Sequence, residues 1–88
     1  MSLAKIREQW ESGLNEILVI KDPNENVIVL LQDNDDPDEY YVHRYFQLGD
    51  DWQISIDWPN NIARDDNITN LQEALKFITD RFKEYIPV

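Results

Sequence analysis

From Trp52 onward, apolar and polar side chains alternate without a break. Trp52, Ile54, Ile56 and Trp58 fall on one side, and Gln53, Ser55 and Asp57 on the other. That is the period of a half-buried strand. The run from Tyr40 to Leu48 is aromatic and β-branched, and Gly49-Asp50-Asp51 separates the two runs. Residues 39–58 therefore predict an antiparallel hairpin with one dry and one wet face. Pairing Leu48 with Trp52 sets the register: Phe46 faces Ile54, Arg44 faces Ile56 and His43 faces Asp57. The wet face then carries Tyr41, His43, Tyr45, Gln53, Ser55 and Asp57. Arg44 falls on the dry face, where it must meet a carboxylate from a helix or reach the sheet edge.

Around this hairpin the pattern predicts two further strands and two helices. Leu3, Ile6 and Trp10 recur at helical spacing over residues 2–12, with Ser2 as cap and Gly13 as stop. Residues 16–21 and 26–32 are apolar at successive positions, so their strands are central or covered on both faces. The turn residues of Asp22-Pro23-Asn24-Glu25-Asn26 join them as a hairpin. Residues 33–38 (DNDDPD) and 59–67 (PNNIARDDN) are polar connections. A second helix spans 69–86, capped by Thr69 with Gln72 and striped by Leu71, Leu75, Ile78 and Phe82; Pro87 stops it. The sum is one α+β domain over residues 1–88, in the order α-β-β-β-β-α. Its simplest packing is a four-stranded antiparallel meander with two helices packed on one face.

Charge changes the picture from fold to partner. The chain has 18 acidic and 8 basic residues, net −10, and twelve of those acids but only two of those bases lie in residues 22–66. The predicted sheet and loops thus carry the whole net charge. Such a surface repels nucleic acid and anionic membrane and attracts a basic partner. There is no Cys, no long apolar run and no signal-like N-terminus, which points to a cytoplasmic setting.

Three constellations are candidates for function. Tyr41, His43 and Tyr45 on a wet sheet face would suit an interface, since each ring offers apolar area and a polar tip; the equal alternative is that a loop or the first helix lies over this face. The acids Asp35, Asp36, Asp38 and Glu39, with Asp33, would present a row of negative charge able to imitate nucleic-acid phosphate. The loop lacks the Gly of a Ca²⁺ loop, and the Asp22, Asn24, Asn26 run has Val27 where an EF-hand loop has Gly. No metal or cofactor is expected. His43 opposite Asp57 could hold a proton-transfer pair, but catalysis needs a third group and a cleft. With one His, two Gly and no nucleophile motif, an enzyme is not expected.

The expectation is a binding module. Its acidic surface, with Tyr41, His43, Tyr45 and Asp57 near the centre, would engage or block a basic protein such as a nuclease or another nucleic-acid-binding protein. In size, acidity and layout the chain resembles small inhibitor and immunity proteins as a class, an analogy of overall build alone. The alternative is a homodimer or larger homo-oligomer joined through the aromatic face. A small enzyme or ligand carrier using His43 and Asp57 comes third.

Overall fold

The computed structural model describes the backbone of residues 1–84, 86 and 87, and the side chains of residues 1–55 and 61–84. In chain order the elements are α1 (Leu3–Trp10), β1 (Leu14–Lys21), β2 (Val27–Asp33), β3 (Tyr40–Leu48), β4 (Asp51–Asn61), α2 (Ile62–Asp65), α3 (Leu71–Arg81) and β5 (Ile86–Pro87). The four predicted strands form the antiparallel meander, and β5 adds to the far side of β1, giving the order β4-β3-β2-β1-β5. The domain is α+β, as the residue pattern implies.

Local chemistry sets the element ends. Ser2 caps α1, its Oγ accepting from Lys5 N at 3.2 Å. Gly13 takes a φ of 77° between α1 and β1, the left-handed geometry that L side chains resist. Asn70, rather than Thr69, caps α3: its Oδ1 accepts from Glu73 N at 2.9 Å, while the Glu73 carboxylate accepts from Thr69 N and Thr69 Oγ1. The cap is displaced by one residue from the predicted one, and the N3 carboxylate reaches back past it to Thr69 rather than to the cap's own N–H. The helix ends at Arg81 instead of running to residue 86. A residue preceding proline is pushed to extended backbone, and Ile86 pairs with Lys21 of β1.

The helices do not share one face. Ile6 of α1 packs with Val27, Val29, Leu31 and Tyr45. Ile62 of α2 and Ala74 and Ile78 of α3 pack with Ile20, Ile28, Leu30, Tyr40 and Val42. Residues adjacent along a strand point to opposite faces, so the sheet is a filling between α1 and the α2–α3 pair. This corrects the packing expected from the pattern. The unbroken run Val27–Leu31 is buried at every position, as both-face coverage requires. A register shift between Glu16 and Leu18 places both Ile17 and Leu18 against the α3-side core.

The hairpin register also differs. Leu48 pairs with Asp51, Gln47 with Trp52 and Tyr45 with Ile54. The connecting loop is therefore two residues, with Gly49 first at a φ of 61°, the position a type II′ turn reserves for glycine. Trp52 and Ile54 consequently lie on the α1 side with Tyr45, not opposite it. The exposed edge of β4 is blunted in two ways. Met1 O accepts from Trp52 N at 2.9 Å, and the pairing with β3 is irregular between Ile54 and Pro59.

Candidate functional site

The aromatic residues expected on the wet face are covered. Tyr45 is 0% and His43 3% exposed, and Tyr41 is half-buried. What covers them is α1. The helix brings Arg7 and Glu11, one turn apart, over the sheet, and a continuous polar chain results. His43 Nδ1 lies 3.1 Å from Tyr45 Oη, which donates to Glu11 Oε2 at 2.8 Å. Arg7 clamps the same carboxylate through Nε (2.8 Å) and Nη2 (2.9 Å), and Nη2 reaches Glu16 of β1 at 2.5 Å. The Tyr45 hydroxyl has one proton, and a carboxylate only accepts. The His43 Nδ1 must then carry the hydrogen that Tyr45 Oη receives.

The electrostatics follow the geometry. Hydrogen bonding to Glu11 raises the Arg7 pKa against the opposing effect of its burial. Burial, then the hydrogen bond to Glu11, pushes the Tyr45 phenol well above its ordinary range. Burial lowers the His43 pKa from 6.5, opposed by the Glu11 charge. His43 is thus neutral in the fold at pH 7. As pH falls below 6.5, the unfolded chain takes a proton that the folded chain resists, so this residue's contribution to stability is lost from about pH 6.5 down to its folded pKa. An NMR titration of this lone histidine should give a midpoint below 6.5; a midpoint above that value would contradict the burial argument. His43 and Tyr45 therefore form a structural tie between α1 and the sheet, not an exposed platform.

The expected His43–Asp57 pair is not in register: His43 pairs with Pro59. The Asp57 side chain, like those of Ile56 and Trp58, lies outside the described residues. Arg44 does sit on the α3 side, opposite Ile28, but its buried Nε meets no hydrogen-bond partner among the described residues. Neither expected solution, a helix carboxylate or escape to the edge, satisfies that atom.

The acidic loop is where the residue pattern places it, and it is tightly constructed. Asp33 Oδ1 accepts from Asp35 N (2.8 Å) and Asp36 N (3.3 Å), and Asp36 Oδ1 accepts from Asp38 N (3.2 Å). Backbone bonds from Glu39 N to Asp36 O and from Asp33 N to Glu39 O close the loop. Gln32 Nε2 donates to Pro37 O, and Asn61 Nδ2 donates to the Glu39 carboxylate. These are the self-bonded turns that Asp and Asn favour. Asp35, Asp36 and Asp38 stay exposed, while Glu39 is half-buried. Tyr41 feels the field: burial first, then the charges of Glu39 and Asp33, raise its pKa, and Arg64 opposes them. Asp22 is spent in the same way, its carboxylate accepting from Asn24 N, Asn26 N and Asn26 Nδ2. Among the described residues no group of three or more His, Cys, Asp or Glu could hold a metal.

Beside the loop lies an open cleft of about 410 Å³ lined by Asp38, Glu39, Ala63, Arg64, Ile68 and Thr69. Its wall is α2, which the residue pattern read as connection, and the apolar pair Ile62 and Ala63 is the signal that marks this turn. Arg7 and Glu11 were equally legible as an i,i+4 pair, but their target on β3 depends on which face α1 covers. Compared with known proteins, the chain matches no family model, no curated protein and no solved structure at a significant level.

Proposed function

We propose that this protein is a small acidic binding module that engages a basic protein partner through the 33–39 loop end of the sheet. The observation that carries the reading is the loop itself: three exposed aspartates held in one geometry by backbone hydrogen bonds. Fixing charges in advance lowers the ordering cost of association. A net charge of −10 adds long-range attraction and a faster encounter with a cationic surface. The partner class is a nuclease or other nucleic-acid-binding protein, whose cleft is built to take a row of phosphates, so the module acts as an inhibitor, immunity or regulatory protein and as a nucleic-acid mimic. A cytoplasmic setting accords with the absence of Cys, and among the described residues no helix is long and apolar enough to cross a membrane. Burial of His43 and Tyr45 makes homo-oligomerisation through the aromatic face the weaker reading.

The test is calorimetric binding to a panel of purified nucleases and other nucleic-acid-binding proteins. A binder's affinity should fall as salt rises. The triple variant Asp35→Asn, Asp36→Asn, Asp38→Asn should weaken it by about tenfold, from three screened charge contacts. Asparagine keeps the Oδ1 acceptor of Asp36, so the loop geometry survives. Affinity indifferent to both salt and the triple variant would refute the reading.

A further inference from the structure

We infer that the cleft between the acidic loop and α2 seats one lysine or arginine side chain of the partner. The inference rests on the proposed function and names the contact at its centre. The cleft has two unlike walls. Ala63 and Ile68 are half-buried and packed against the α3-side core, so they form a fixed apolar floor. Asp38 and Glu39 line the same cleft, and the Glu39 carboxylate is held in place by Asn61 Nδ2. A cleft that combines apolar floor with carboxylates, one of them held in place, matches a long basic side chain, whose methylene stem seeks apolar surface while its charged head seeks acids. The cleft is open rather than enclosed, which suits a side chain projecting from a partner's surface more than a small molecule that must be surrounded.

Arg64 lines the same cleft. Its side chain is 76% exposed and its one ion pair among the described residues, to the adjacent Asp65, is long at 3.5 Å. A cation there competes with an incoming one, so the native site is partly self-screened. That gives an unusual expectation: removing this arginine should tighten binding.

The experiment is an NMR titration of the whole chain with a short oligo-arginine peptide, alongside Arg64→Gln and, as a charge-matched control on the opposite side of the sheet, Lys5→Gln. Lys5 is exposed on α1. Shifts should concentrate at the amides of Ala63, Ile68 and Thr69 as well as the loop. Arg64→Gln should bind about threefold more tightly than the parent, and Lys5→Gln should change affinity much less. Glu39→Gln should bind about threefold more weakly. Shifts spread over all acidic segments, including Asp50 and Asp51, without the cleft amides, would overturn the seat while leaving the acidic module standing. Equal effects of Arg64→Gln and Lys5→Gln would do the same. Absence of any peptide binding would overturn both.

Discussion

Leu30→Ala and Leu31→Ala are each expected to lower the unfolding free energy by about 2–5 kcal/mol. The two residues are neighbours on β2, and both are essentially inaccessible, at 1% and 0%. Leu30 belongs to the core beneath α2 and α3, Leu31 to the core beneath α1. In a sheet covered on one face, one of the pair would point to water, and truncating it would cost within about 0.5 kcal/mol. Equal and large losses are therefore the signature of the two-sided packing. The scale is severe for a chain of this size, whose whole stability is about 4–13 kcal/mol at typical values per residue. Urea denaturation of the two variants provides the check. A near-neutral Leu31→Ala would mean that α1 does not close its side of the sheet.

The elements themselves were largely legible. Period-two alternation and β-branched runs located four strands, and Ser2, Gly13 and the Asp22–Asn26 turn marked boundaries by chemistry that depends only on near neighbours. What failed was parity. A three-residue reading of Gly49-Asp50-Asp51 pairs Leu48 with Trp52; the observed two-residue loop pairs Leu48 with Asp51. A slip of one residue turns every side chain to the other face. It moved Tyr45 from the face opposite Trp52 to the same face, and with it the whole assignment of dry and wet surfaces. Gly followed by Asp is itself a two-residue hairpin signal, so the correct register was available. The continuous run Val27–Leu31 carried the corresponding warning, since a strand buried throughout needs cover on both sides.

The acidic loop was legible for a simpler reason. Charge density and Pro37 define an exposed segment whatever the sheet does, and Asp and Asn bond their own backbone without help from afar. The aromatic and His43 readings depended on which face met water. That is a tertiary property, decided by where α1 lies. The cleft beside the loop was beyond reach for the same cause: it needs Ala63 and Ile68 brought against residues some twenty-five positions earlier, across the β3–β4 pairing. Nor could any local pattern foretell β5, two residues whose strand character exists only because β1 offers them an edge.

Replacing Tyr45 by phenylalanine should cost about 1–3 kcal/mol, far more than deletion of an exposed hydroxyl. Among the described residues Oη joins His43 to the C-cap of α1, receiving from Nδ1 at 3.1 Å and giving to Glu11 Oε2 at 2.8 Å. Its loss leaves the His43 N–H without that partner in the interior, while Glu11 keeps both bonds from Arg7. Glu11→Ala should fall in a similar range, because it deprives Tyr45 of its acceptor; Arg7 retains Glu16 and is less penalised. If the chain acts as a unit, the double variant will cost less than the sum of the single ones by about 0.5–3 kcal/mol. Once either end of the Tyr45–Glu11 bond is gone, removing the other end has less left to break. Additive costs would mean that the two groups stabilise the fold independently. Amide exchange adds a spatial readout: in both single variants protection should fall first in α1, the element that this bond fastens to the sheet, with β2 and β3 following only through global unfolding.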